Sequence, residues 1–185
     1  MSDVNDQQLA LLNGEKAINL NPGDMFDWPI ITDEDEQAVI DVIRARKMSG
    51  SDISKQFERE FADWHGCEFG LTAPNGTSSI QEAMYAAGLG VGDEMIVPSL
   101  TYWASVLQLY SLGATPVFAE VDPQTLCIDP GDIEHRITDR TKAIMVVHYL
   151  AYPCDMDPIL EIAKKHNLKV IEDNSHAQGS TYKGK

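Results

Sequence analysis

The chain has 185 residues, 43% of them hydrophobic and 23% charged, which is a globular composition and excludes a disordered, collagen-like or fibrous polypeptide. Fourteen basic against 29 acidic side chains leave a formal charge of −15, a field that repels nucleic-acid backbones and anionic lipid. It does not exclude a small anionic ligand held by a few backbone N–H groups. Cys67, Cys127 and Cys154 are scattered and odd in number, which argues against a disulfide framework or zinc knuckle and for a reducing compartment. Met1 to Leu20 is polar and mixed in charge, unlike a signal peptide, and the longest apolar runs fall far short of the roughly 18 residues that span a bilayer. The expectation is a soluble cytoplasmic protein.

In chain order, Thr32 can cap a helix whose first turn is the acidic run Asp33 to Glu36, with Val39, Ile40, Val42 and Ile43 at helical spacing. Ser51 and Asp52 can cap a second helix, in which Ile53, Phe57, Phe61 and Trp64 form one apolar face and Gly66 the stop. Thr77 to Leu89 reads as a helix, Glu94 to Pro98 as a strand, and Tyr102 to Leu112 as a helix. Pro116 to Val121 is a strand and Pro130 to Ile137 a short helix. Ala143 to Val147 is an uninterrupted apolar strand. A helix with Asp157 as N-cap and Pro158 in its first turn closes on Lys164 to Asn167, and Leu168 to Ile171 is the last strand. Apolar strands alternating with amphipathic helices predict an α/β fold, a mostly parallel sheet covered on both faces. Ligands of such sheets sit beyond the carboxyl ends of the strands.

Three segments at those ends carry polar or aromatic chemistry. Pro74 to Ser79 leads into a helix, so Gly76, Thr77 and Ser78 can cradle a phosphate, although the same residues also make an ordinary capping turn. It is neither GxxxxGK[ST] nor GxGxxG. Asp173 and His176 follow the last strand, where a carboxylate can meet a ring nitrogen, a metal or a ribose, or simply cap a loop. Tyr102 and Trp103 follow another strand and can stack on a planar ligand or pack in the core. His148 with Asp173 and His176 could make a two-histidine, one-carboxylate metal site, but this would leave the phosphate-like turn unexplained. A planar phosphorylated cofactor uses every segment at once, and pyridoxal 5'-phosphate fits.

The segments Asn75 to Thr77, Gly92 to Thr101, Leu112 to Val117, Thr138 to Ile144, Val147-His148, Pro153 to Asp157 and Val170 to Asp173 resemble the DegT/DnrJ/EryC1/StrS aminotransferases. The resemblance runs from about Trp28 to Lys185, with 1–27 as an N-terminal extension and 28–185 as part of a cofactor-binding large domain. It implies the fold-type I pyridoxal-phosphate architecture and a truncated chain without the C-terminal part of that domain or the small domain. It further implies transfer of an amino group from glutamate or glutamine to a nucleotide-linked keto-sugar, by homodimers with sites at the subunit interface. Gly76, Thr77 and Ser78 would then bind the cofactor phosphate. Tyr102 would lie on the pyridine ring, with Trp103 as the neighbouring candidate. Asp173 would pair with the ring nitrogen, and His176 would lie near the phenolic oxygen. No metal is implied.

The family's Schiff-base lysine lies in a Ser/Phe/Gly-rich motif beyond Lys185; Lys183 and Lys185 match the segment before it. The chain alone is therefore expected to be inactive. Ala151 stands where the family usually has glycine. A same-family sugar dehydratase, with that lysine replaced, and a non-catalytic ligand-binding protein are the other readings.

Overall fold

The computed structural model describes residues 14, 23, 29–49 and 52–184. The expected N-terminal extension (apart from Gly14 and Gly23), Trp28, the cap at Ser51 and Lys185 lie outside them. The chain divides into two compact units, 1–57 and 58–185. In the first, α1 (Asp33–Arg44) starts on a capping box. Thr32 Oγ1 accepts from the Asp35 amide, and the Asp35 carboxylate accepts from the Thr32 amide at 2.8 Å. None of its residues is buried. Helix α2 (Asp52–His65) runs across the division and stops at Gly66, whose φ of +67° suits glycine. Along its apolar face Ile53, Phe57, Phe61 and Trp64 are all exposed, and only Ala62 is buried.

The second unit is built on β1 (Glu94–Pro98), β2 (Thr115–Ala119), β3 (Thr141–Val147) and β4 (Lys169–Asp173), all parallel, in the order β2-β1-β3-β4. Helices α3 (Gly76–Ala86) and α4 (Ala104–Leu112) cover one face; α5 (Pro130–Arg136) and α6 (Met156–His166) cover the other. The period-two alternation of strands sorts the core into two layers. Met95, Val97, Ala143, Met145 and Val147 pack with Ile80, Met84 and Leu109, while Ile96, Ile144 and Val146 pack with Ile133, Ile159 and Ala163. Burying each of these larger side chains is worth about 1.5–3 kcal/mol, which is why the central strands read as unbroken apolar runs.

Several boundaries differ from the sequence expectation. Strand β4 continues through Glu172 and Asp173, because these pair with Val146 and Val147 and prolong the ladder; Leu168 instead closes α6, its N–H donating to Ala163 O at 2.8 Å. Helix α6 begins at Met156 after Asp155, which makes no side-chain cap; Asp157 lies in the first turn with its carboxylate bonded to Lys183. Strand β2 ends at Ala119, and Val121 forms an isolated antiparallel bridge with Ile128. Helix α4 begins only at Ala104, leaving Tyr102 and Trp103 in the preceding turn. Among the described residues, no helix is long and apolar enough to cross a membrane.

Candidate active site

Strands β1, β3 and β4 deliver three turns to one rim of the sheet. Between the first turns of α3 and α4 and the end of β4 lies a cavity of about 220 Å³. Gly76, Thr77, Tyr102, Asp173 and His176 all line it, joined by the hydroxyl residues Thr101, Ser105 and Ser175 and the apolar Ile80, Ala104 and Val147. Ser78 and Trp103 do not line it.

Asn75 explains how the α3 end is arranged. Its Oδ1 accepts from the Ser78 amide at 2.9 Å and its carbonyl from the Ser79 amide at 3.1 Å. The amides of Gly76 and Thr77, by contrast, have no acceptor among the described residues. They are the free donors that a helix start leaves to an anion. Gly76 borders the cavity, and a Cβ added there would make only ordinary contact, 4.0 Å from Ser175 Oγ.

Asp173, the last residue of β4, is 8% exposed. Ser105 Oγ donates to its Oδ2 at 2.8 Å, and the Ser175 amide and hydroxyl donate to its Oδ1 at 3.0 and 2.6 Å. Thr101 Oγ1 lies 2.9 Å from Ser105 Oγ. Sequence reasoning missed Ser105 and Ser175. The available signals were a lone hydroxyl in the buried run Ala104-Ser105-Val106 and the two-residue spacing of an Asx turn at Asp173.

Tyr102 is exposed at the cavity, its ring 5.1 Å from that of Trp103 and tilted by 43°. His176 meets the ring of Tyr149 edge-on at 6.0 Å. His148 is buried and fully engaged: its Nδ1 accepts from the Cys154 amide at 3.0 Å, so the neutral ring carries its proton on Nε2, 3.1 Å from Glu172 Oε2. It is not assembled with Asp173 and His176, and no group of three or more His, Cys, Asp or Glu residues among the described residues is placed to hold a metal ion. Lys183 bonds to Asp157 and lies over the Tyr182 ring, away from the cavity.

A family model described as the DegT/DnrJ/EryC1/StrS aminotransferase family matches residues 29–185. GDP-perosamine synthase of Caulobacter vibrioides is 52% identical over 130 residues, 70% of this chain and 35% of that protein. The aminotransferase of Psychrobacter cryohalolentis, a solved structure, superposes with a TM-score of 0.81 at 41% identity, over 84% of this chain and 40% of its own. NtdA of Bacillus subtilis with bound cofactor PMP gives 0.75 at 32% identity, over 83% and 36%. The chain therefore spans 35 to 40% of the length of these proteins.

Proposed function

The chain belongs to the DegT/DnrJ/EryC1/StrS aminotransferase family, and from that premise we propose that its cavity is the pyridoxal 5'-phosphate site of a sugar aminotransferase. The observation that carries the reading is the pairing, around one cavity, of the unclaimed Gly76 and Thr77 amides with a buried carboxylate held by hydroxyls at both oxygens. Such a pair suits a small ligand with an anion at one end and a protonated ring nitrogen at the other. The residues present fit that group.

Gly76 and Thr77 would bind the phosphate through backbone N–H groups and the α3 dipole, which tolerate an anion despite the net charge of −15. Tyr102 would cover the ring face and exclude water from it. Asp173 would hold the proton at the ring nitrogen, and His176 would reach the phenolic oxygen. When bound, the cofactor supplies an electrophilic carbonyl and an electron-withdrawing ring. Ser78, whose amide is taken by Asn75, would contribute only from behind the first turn.

The substrates we propose are glutamate or glutamine as donor and a nucleotide-linked keto-sugar as acceptor. The name of the Caulobacter relative, GDP-perosamine synthase, supports a nucleotide-linked sugar. A homodimer in the cytoplasm completes the reading, with 28–185 acting as the cofactor-binding part of the large domain and 1–27 as an extension. No lysine among the described residues lines the cavity, so this chain by itself is proposed to bind the cofactor without turnover.

Titration of the purified chain with pyridoxamine phosphate, followed by calorimetry, tests the site. Saturable binding that Asp173→Asn weakens is expected; no binding, or binding indifferent to Asp173, rejects it. Incubation of the cofactor-loaded chain with glutamate or glutamine and a GDP-linked 4-keto-6-deoxy sugar tests turnover. Formation of amino sugar by this chain alone would overturn the claim of inactivity.

A further inference from the structure

Ser105 and Asp173 stand 68 positions apart in the chain, yet their side chains form a buried hydrogen bond of 2.8 Å. A serine in the first turns of a helix ordinarily satisfies its hydroxyl on a nearby carbonyl. Ser105, only 1% exposed and flanked by the buried Ala104 and Val106, reaches instead across the cavity floor. An ionised carboxylate only accepts, so Ser105 must donate to Asp173, and its oxygen is then left to accept from Thr101 Oγ1 at 2.9 Å. The hydroxyls therefore run one way, Thr101 to Ser105 to Asp173.

The two carboxylate oxygens are held differently. Oδ1 takes both bonds from Ser175, two residues on, in the turn that follows β4. Oδ2 takes one bond, from α4, and retains acceptor capacity beside the cavity. Helix α4 also follows directly from the turn that carries Tyr102. Ser105 thus ties the carboxylate that would meet the ring nitrogen to the element whose preceding turn carries Tyr102, which would cover the ring face.

Resting on the cofactor reading above, we infer that Ser105, backed by Thr101, is a positioning residue that sets the plane and register of Asp173 for an N–H donor of the ligand. The probe is pyridoxamine phosphate labelled with ¹⁵N in the ring, bound to the full chain and read by NMR, with affinity measured in parallel. Ser105→Ala is expected to weaken binding about tenfold, the scale of one lost hydrogen bond to a charged group, and to move the ring ¹⁵N resonance toward that of the free ligand. Ser105→Cys, which preserves packing with a weak donor, should do the same if the alanine variant does not fold. Ser105→Thr, which keeps the hydroxyl, should restore both readouts.

Wild-type affinity and an unchanged ¹⁵N shift in Ser105→Ala or Ser105→Cys, while Asp173→Asn still weakens binding, would overturn this inference and leave the cofactor site standing. Wild-type chain that fails to bind the probe would remove the cofactor reading and this inference with it.

Discussion

Arg140 Nε donates to Glu94 Oε1 across 2.9 Å at the amino end of β1, the end of the sheet opposite the cavity. Thr138 Oγ1 donates to the other oxygen at 2.5 Å, and the Glu94 residue is 4% exposed. The Thr138 hydrogen bond first, and the Arg140 guanidinium second, hold this carboxyl below its ordinary range. A depressed folded-state value means that the stabilisation is fully present above the unfolded value of about 4.3 and is lost as pH falls through the folded one. Glu94→Gln should therefore cost about 1–2 kcal/mol at neutral pH and flatten the acid side of the stability curve. Urea midpoints as a function of pH would check this. Pyridoxamine phosphate affinity should be unchanged, since the pair lies at the far end of the sheet.

Tyr102 and Trp103 are adjacent and comparably exposed, but only Tyr102 lines the cavity. Tyr102→Ala should weaken pyridoxamine phosphate binding by about three- to tenfold, the size of a stacking contact of roughly 0.5–1.5 kcal/mol. Trp103→Ala should leave the affinity unchanged. The reverse ranking by calorimetry would exchange their roles.

Ala151 occupies left-handed backbone, φ +68°, directly after Leu150 at φ +49°. The conformation costs a non-glycine residue about 1–2 kcal/mol. Glycine would remove that strain but add roughly 0.5–1 kcal/mol of unfolded-chain entropy. The strain is the larger effect, so Ala151→Gly should stabilise the chain by about 0.5–1 kcal/mol. The bond from Ser180 Oγ to the Ala151 carbonyl, 3.2 Å, is to backbone and survives the change. A fall in the urea midpoint would show that the methyl group packs usefully.

The three thiols should separate cleanly under alkylation. Cys67 is exposed, whereas Cys127 and Cys154 are buried, and burial, reinforced by neighbouring Cys127, pushes the Cys154 thiol far up. Iodoacetamide at mildly alkaline pH should add one label to the native chain, at Cys67, and three only after unfolding. Intact-mass spectrometry reads the count, and early labelling of Cys154 would contradict its burial.

Much of the second unit was legible because its residues obey one rule at a time. Glu94 to Pro98 is a strand at the expected limits, and Asn167 ends α6 in left-handed backbone as a helix-closing asparagine should. Glu172 and Asp173 lie beyond the predicted strand end at Ile171; acidic residues are poor strand formers, yet ladder pairing to Val146 and Val147 outweighs that preference. The α2 stripe from Ile53 to Trp64 is periodic whether or not anything covers it, so periodicity alone could not reveal its exposure. Ser105 is silent in the sequence for a related reason: one hydroxyl in an apolar helix face becomes informative only when the strand 68 positions later brings a carboxylate to it.

Strand β4 stands at the end of the order β2-β1-β3-β4, and among the described residues it pairs with β3 alone. Its last residue is Asp173, so the cavity is complete only while β4 is docked on β3. Occupancy of the cavity and attachment of the strand are consequently linked equilibria, and a ligand contacting Asp173 must oppose local opening by mass action. Amide exchange slowed selectively along Lys169–Asp173 on adding pyridoxamine phosphate would show that linkage directly.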